Sequence, residues 1–220
     1  MKIGILGNGD VGRSLAHGFI AEGHQVMIGT RDQSKEKLLV WLDQHKTALT
    51  GSFAATAEFG ELLVLAVKGS AADELLEALD EKLISGKTII DTTNPIVHAD
   101  EGWPKIEGGV LEYFTPRDLS LMEILQKKFP DTNFVKAFNS VGNGLMYKPS
   151  FKEGKPTMFI CGNNEASKAQ VTEILESFGF DVADMGGDAV ARPIEALCQL
   201  WCALGFNKGQ WSHAFKLLRS

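Results

Sequence analysis

The sequence predicts an α/β fold, with helices on both faces of a doubly wound, mostly parallel sheet. Short apolar runs alternate with stretches of helical periodicity along most of the chain. Residues 62–67, LLVLAV, form a continuous apolar run typical of central parallel strands, which are covered on both faces. A glycine-rich turn at residues 7–12 joins the first strand to the first helix. In such a sheet ligands bind at the carboxyl ends of the strands, so we expect a site there.

The individual elements follow from local patterns. Apolar runs that end in turn residues predict strands at 2–6, 25–29, 62–67, 88–91, 133–138, 157–161 and 181–185. Helical periodicity with start and stop signals predicts helices at 11–22, 34–45, 71–83, 119–129 and 164–178. Residues 189–218 are predicted to be mostly helical, with breaks at Gly205 and Gly209. Residues 51–61 are too short and ambiguous to assign, and residues 96–117 are predicted to be an irregular loop, which at that length is usually functional or mobile.

The composition limits the class of partner. Of the 220 residues, 44% are hydrophobic and 23% are charged, which is ordinary for a globular protein able to bury a large core. The net charge of −6 and the lack of a basic run argue against nucleic acids and anionic membrane surfaces. The chain starts with a strand rather than a signal peptide, and no apolar stretch reaches the ~18 residues of a membrane span.

The three cysteines are Cys161, Cys198 and Cys202. An odd count without a Cys-x-x-Cys pair predicts free thiols in a reducing compartment, which indicates a cytoplasmic protein. Cys198 and Cys202 are four residues apart and share a helix face, which fits packing in a core. A redox or metal site is the alternative interpretation of these cysteines.

The spacing Gly7-x-Gly9-x-x-Gly12 is the fingerprint of a dinucleotide-binding turn. The first glycine permits the tight turn, the second lets the backbone approach a diphosphate, and the third lets the helix pack on the strand. Free N–H groups and the positive dipole at the helix start then attract phosphates. Strand before and helix after supply the required context, so we predict that residues 7–12 bind a dinucleotide: Gly7, Asn8, Gly9, Asp10, Val11 and Gly12.

The end of the second strand indicates which dinucleotide. NAD sites usually have a carboxylate there for the ribose 2′-hydroxyl, whereas this chain continues with Thr30 and Arg31. A guanidinium binds a 2′-phosphate through paired, charge-assisted hydrogen bonds, and Lys35 is placed to add a second positive charge. The sequence therefore favours NADP. NAD stays open because Asp32 could reach a ribose hydroxyl, and Arg31 and Lys35 could be solvated surface charges.

Several segments together resemble a known family. The segments GNGDVG, GTRD, DTTNP, VKAFNSVG and ARPIEALCQLW, in this order, resemble the NADP oxidoreductases that use coenzyme F420, a deazaflavin. The first two are shared by many NADP enzymes, whereas KAFN and ARPIE narrow the resemblance to this family and its relatives. Those relatives include the cytosolic domain of the ferric reductases called six-transmembrane epithelial antigens of prostate, which use flavin.

The resemblance implies a domain plan and a site. Residues 1–140 would form an NADP-binding Rossmann domain, and residues 141–220 a small, partly helical extension that completes the sheet and forms the acceptor side of the cleft. Thr30, Arg31 and Lys35 would hold the 2′-phosphate. The nicotinamide end would be lined by Ala66, Val67, Lys68, Asn94, Pro95, Ala137 and Asn139. Coenzyme F420 or a flavin would lie over the nicotinamide, and family members commonly form dimers.

Hydride transfer between two stacked rings needs no acid–base residue, only rings held at reacting distance in a dry cleft. Accordingly, we predict no catalytic side chain and no metal site: the five histidines are scattered, and no Ser/His/Asp or Tyr/Lys set is evident. Lys136, in the middle of a strand, is predicted to be structural. Cations that could hold an acidic acceptor tail are Lys105, Arg117, Lys148, Lys152 and Lys155.

Two other functions remain possible on the sequence. An NADP-binding sensor without turnover would show the same lack of an acid–base pair. A β-hydroxyacid dehydrogenase would need a large helical second domain that carries a catalytic lysine, and the segment after Ala189 is too short for one.

Overall fold

A computed structural model describes residues 1–99 and 102–219 of the chain. Its centre is a six-stranded parallel sheet with the order β3-β2-β1-β4-β5-β8. The strands of this sheet are β1 (Lys2–Leu6), β2 (Gln25–Gly29), β3 (Leu49–Gly51), β4 (Leu62–Leu65), β5 (Thr88–Asp91) and β8 (Asn133–Lys136). The predicted fold class, an α/β doubly wound sheet with a small C-terminal helical part, is confirmed.

Helices cover both faces of the sheet. They are α1 (Asp10–Ala21), α2 (Glu36–Gln44), α3 (Phe53–Phe59), α4 (Ala72–Glu77), α5 (Leu121–Lys128), α6 (Glu165–Ser177) and α7 (Ala191–Lys208). Alternate residues of β4 point to opposite faces: Leu62 and Val64 join the core beneath α1 and α6, and Leu63 and Leu65 join the core beneath α4 and α5. Because both faces are buried, the strand has no polar position.

Residues 141–219 build on the same core. Strands β9 (Thr157–Ile160) and β10 (Asp181–Asp184) pair with each other in parallel, and α6 crosses between them. They form their own two-stranded sheet, which meets β8 at one antiparallel bridge between Lys136 and Cys161. The extension therefore adjoins the main sheet at this single bridge and not along a fully paired strand.

Residues 96–99 and 102–117 are more ordered than the sequence predicts. It contains a short antiparallel hairpin, β6 (Ile106–Glu107) and β7 (Val110–Leu111), whose two-residue turn is Gly108-Gly109 with both φ angles positive. We call residues 96–99 and 102–117 the strap, because this segment contacts α7 through hydrogen bonds of Gly109, Leu111 and Tyr113. Residues 100–101, which the irregular-loop prediction includes, fall outside the described part of the chain.

The C-terminal prediction needs two corrections. Gly205 does not break α7, which continues through it to Lys208. The glycine instead leaves room for the ring of Trp211, which a Cβ at this position would meet. Gly209, with φ of 66°, does end the helix. Residues 210–219 are not helical, and this tail turns back so that Thr157 donates its N–H to the Phe215 carbonyl at 2.8 Å.

Other boundaries differ locally. The helix predicted at 71–83 is shorter, with α4 ending at Glu77 and a 3-10 turn following at Glu81–Leu83. The unassigned stretch 51–61 contains the end of β3 and all of α3. Within the described residues, no helix is both long enough and apolar enough to cross a membrane.

Candidate functional site

The glycine turn between β1 and α1 has the geometry of a phosphate cradle. Gly7 (φ 129°) and Gly12 pack so closely that an added Cβ would lie 2.3 Å from the Ala66 carbonyl oxygen and 2.1 Å from that of Gly7, respectively. Gly9 is different, because its Cβ would meet no atom within 4 Å. Gly9 is also the N-cap of α1, and no side chain caps the first N–H groups of this helix. The turn therefore offers the room, the donors and the helix dipole that a diphosphate requires.

Arg13 holds this turn in shape, a role that the sequence analysis does not predict. Its guanidinium donates to the carbonyl oxygen of Asn8 and to the carboxylate of Asp10, and only 16% of its side chain is exposed. The (i, i+3) spacing of Asp10 and Arg13 on a helix is the sequence signal that could have identified the pair.

The loop after β2 leaves two cations exposed. The Thr30 hydroxyl is buried and accepts from the N–H of Asp32 at 3.2 Å, and the Asp32 carboxylate accepts from the N–H and hydroxyl of Ser34 at 2.9 and 2.6 Å. These Ser34 hydrogen bonds hold the pKa of Asp32 below its usual range. Arg31 and Lys35 are exposed and form no salt bridge with the residues described. Thr30 and Asp32 thus shape the loop, while Arg31 and Lys35 remain available to an anion.

Two asparagines join the ends of β5 and β8. Asn94 Nδ2 donates to the Asn139 carbonyl at 2.9 Å, and Asn139 Nδ2 donates to Asn94 Oδ1 at 3.1 Å and to the Ile194 carbonyl at 2.9 Å. Between Ala137 and Asn139, Phe138 has a φ of 61°, which is strained for a side chain of this size. Asn139 Oδ1 is buried and has no hydrogen-bond partner in the described protein, so it is a free acceptor at this edge of the sheet.

A buried ion triad supports this edge from below. The Lys136 ammonium lies 2.6 Å from an Asp91 oxygen and 2.8 Å from a Glu195 oxygen, and it donates to the Thr93 carbonyl at 2.9 Å. Burial lowers the pKa of Lys136, but the two carboxylates outweigh burial and raise it above the usual range. Lys136 is therefore a fixed cation and a structural residue, as the sequence analysis expects.

The ARPIE segment of α7 completes this support. The Glu195 carboxylate accepts the N–H groups of Leu121 and Met122 at 3.0 and 3.1 Å, so it caps the start of α5. Arg192 pairs with Glu123, which itself forms a capping box with Ser120. A lysine inside an apolar strand requires a counter-ion, and this requirement is the sequence signal that could have led to Asp91 and Glu195.

The strap lies over the same end of the sheet. Lys68, at the end of β4, donates its ammonium to the Gly102 carbonyl at 3.0 Å. Tyr113 donates its hydroxyl to the Glu195 carbonyl at 2.7 Å, and Phe114 donates its N–H to the Pro95 carbonyl at 2.8 Å. The strap is thus attached to β4, β5 and α7, and it walls one side of the cleft.

The order of the strands brings the predicted residues to one edge. From β2 through β1, β4 and β5 to β8, this edge carries in turn the Arg31 loop, the glycine turn, residues 66–68, residues 94–95 and residues 137–139. Two of the cations proposed for an acidic acceptor tail are already held in ion pairs. Lys105 pairs with Glu112 within the strap, and Lys148 pairs with Glu22 just beyond the C-terminal end of α1.

The chain is similar to several known proteins. The family model described as NADP oxidoreductase, coenzyme F420-dependent, matches residues 2–95. The crystal structure of a candidate F420-dependent NADP-reductase from Arthrobacter sp. FB24 superposes with a TM-score of 0.90, with 33% identity and full coverage of both chains. The chain belongs to the family of coenzyme F420-dependent NADP oxidoreductases.

Two further relatives of this NADP oxidoreductase family differ in length. The F420-dependent NADP reductase of Methanothermobacter marburgensis is 28% identical over 210 residues, which cover 91% of this chain and 90% of the relative. Metalloreductase STEAP3 of Rattus norvegicus is 30% identical over 196 residues, which cover 89% of this chain and 36% of the relative. The chain thus spans about a third of the length of that metalloreductase.

Proposed function

We propose that the protein transfers hydride between NADP(H) and a deazaflavin or flavin-like acceptor bound over the nicotinamide. The observation that carries the proposal is the order of groups along the sheet edge. An exposed cationic loop, an open glycine turn and a buried amide acceptor follow one another in the order of a 2′-phosphate, a diphosphate and a nicotinamide. Membership of the NADP oxidoreductase family supports the same reading.

The residues of the chain would bind and orient the cofactor. The N–H groups at the start of α1 would take the diphosphate where Gly9 leaves open space. Arg31 and Lys35 would take the 2′-phosphate. Asn139 Oδ1, the unpartnered acceptor, would receive the N–H of the nicotinamide carboxamide and so fix the rotation of the ring. When bound, NADP supplies the carbon that gives or takes the hydride.

The acceptor would occupy the space between the strap, α7 and the nicotinamide. The strap and α7 exclude water from that side of the edge, which favours transfer between stacked rings without an acid–base residue. Relatives named as F420-dependent NADP reductases favour a deazaflavin. A flavin is the other candidate, because the resemblance extends to reductases that use it.

We also propose the organisation expected from the sequence: a cofactor domain at 1–140, an extension at 141–220 that lines the acceptor side, and a cytoplasmic location, which the free cysteines favour.

We propose that the protein forms a homodimer through α7. Its outward side carries Pro193, Ala196, Leu200 and Leu204, with Leu200 61% exposed. Apolar residues at this spacing form a stripe that another surface would bury.

One experiment separates this function from an NADP-binding sensor. Reduced coenzyme F420 or reduced flavin is mixed with NADP, and NADPH formation is followed by absorbance, with the reverse reaction measured in parallel. Catalytic turnover with either acceptor supports the oxidoreductase. Tight binding of NADPH without turnover for both acceptors favours the sensor, and lack of any NADP binding contradicts both functions.

A further inference from the structure

Cys198 and Cys202 lie side by side on α7, outside the proposed NADP site. Their sulfur atoms are 4.0 Å apart. Cys198 is buried and Cys202 is half-buried, so one sulfur faces the interior while the other is reachable from solvent. The proposed hydride transfer uses neither thiol.

This geometry opposes a disulfide. On a helix, Cβ atoms four residues apart are separated by ~5–6 Å, whereas a disulfide requires a Cβ separation of ~3.5–4.5 Å. Helix α7 runs without interruption from Ala191 to Lys208. Formation of a bond between the two sulfurs would therefore require α7 to unwind.

The same spacing suits a shared metal ion. When two thiolates bind one tetrahedral ion with bonds of ~2.3 Å, their sulfurs are about 3.8 Å apart. The observed separation of 4.0 Å is close to this edge length. Thiolates are soft ligands, which select thiophilic ions such as Zn²⁺ and Cu(I).

Binding of a metal ion to two thiols displaces their protons, so the proposed binding should release protons.

We propose that Cys198 and Cys202 form a bis-thiolate site for one soft, thiophilic metal ion on α7. The described residues contain no group of three or more side chains able to hold a metal, so solvent at the half-exposed Cys202 would complete the coordination. The sequence analysis leaves a redox site or a metal site as the alternative role of these cysteines. The proposal selects metal coordination over oxidation to a disulfide.

Cd²⁺ is a suitable probe because thiolate coordination produces a charge-transfer band in the ultraviolet. The reduced full chain is titrated with Cd²⁺ while the band and the release of protons are measured. We expect one ion per chain, proton release that accompanies the band, and loss of the band when Zn²⁺ is added in excess. Lack of a band in the wild-type protein would overturn the proposal.

Serine variants locate the ligands. Cys198→Ser and Cys202→Ser should each lose the band, whereas Cys161→Ser should keep it. Cys161 is the matched control, because it is also buried and its burial raises the pKa to about 12. If Cys198→Ser fails to fold by circular dichroism, the half-exposed Cys202→Ser decides alone. A band of wild-type size in folded Cys202→Ser would contradict the site.

Discussion

Asn94 and Asn139 hydrogen-bond to each other in both directions, at 2.9 and 3.1 Å, and so join the ends of β5 and β8. Asn139 Nδ2 donates once to Asn94 and once to the Ile194 carbonyl, whereas its Oδ1 atom has no partner in the described protein. A buried acceptor without a donor costs free energy, on the order of 1–3 kcal/mol. We therefore expect a bound ligand to supply the missing donor.

Replacement of Asn139 by leucine tests this role. The variant loses the hydrogen bonds to Asn94 and to the Ile194 carbonyl, so we expect the free energy of unfolding to fall by about 1–3 kcal/mol. NADPH affinity should also fall, because the variant lacks the Oδ1 atom that is proposed to accept the N–H of the nicotinamide carboxamide. Urea unfolding and calorimetric titration measure the two effects separately. Asn133→Leu is the control. Asn133 is the first residue of β8, at the opposite end of the strand from Asn139, so this variant should bind NADPH as the wild type does.

Arg31→Ala should weaken NADPH binding by about 1.5–3 kcal/mol, the loss of a charge-assisted pair with the 2′-phosphate. NADH lacks this phosphate, so its affinity should hardly change. Both dissociation constants are measured by fluorescence titration. Lys37→Ala is the control, since Lys37 is also an exposed cation but lies on α2, beyond the loop that carries Arg31. Equal losses for NADPH and NADH in Arg31→Ala would show that Arg31 does not contact the 2′-phosphate.

Gly9 and Gly12, two glycines of the first turn, should respond differently to substitution. A side chain at Gly9 meets no atom in the free protein, and its φ of −69° suits any residue, so Gly9→Val should fold with an unchanged melting temperature. It should not bind NADPH, because the valine fills the space for the diphosphate. Gly12→Ala places its Cβ against the Gly7 carbonyl and should lower the melting temperature itself. Normal NADPH binding by Gly9→Val would contradict the diphosphate site.

Much of this site is predictable because its signals are local. The glycine spacing and the residues after each strand place the binding edge, since a parallel sheet brings all carboxyl ends together. Lys136 is different. Its counter-ions, Asp91 and Glu195, lie far away in the sequence, and no local pattern indicates which carboxylates reach it.

Long-range packing also explains the errors in the fold. Gly205 resembles a helix break, yet Trp211 packs on it and the helix continues. Strand β3 has three residues and owes its existence to pairing with β2, not to a hydrophobic run of its own. The strap hairpin, likewise, depends on contacts with α7, such as that of Gln199 with the Leu111 carbonyl at 2.8 Å.

The apolar side of α7 allows a test of the homodimer. Leu200→Glu adds a charge to the most exposed leucine of this stripe and should convert a dimer to a monomer. Sedimentation velocity measures the mass over a range of concentrations. Leu39→Glu is the control, because Leu39 is similarly exposed, on α2. If the wild-type protein sediments as a monomer, or if Leu200→Glu remains a dimer, the proposed interface is wrong.

Lys136→Met should destabilise the fold more than any other change considered. It leaves Asp91 and Glu195 buried without their cation, which costs about 3–5 kcal/mol in the free energy of unfolding. The pH dependence should differ as well. In the wild type the pKa of Lys136 is raised in the folded state, so its contribution is complete below the ordinary lysine pKa and is lost only as the solution becomes more alkaline than that.

In Lys136→Met the unpaired carboxylates should bind protons more readily in the folded state than in the unfolded state. The variant should therefore gain stability as the pH falls below neutral, down to the ordinary pKa of a carboxyl group. Urea midpoints measured across this range reveal the slope, and Lys37→Met should follow the wild type because Lys37 is exposed. Equal pH profiles for Lys136→Met and the wild type would show that the triad does not stabilise the site through charge.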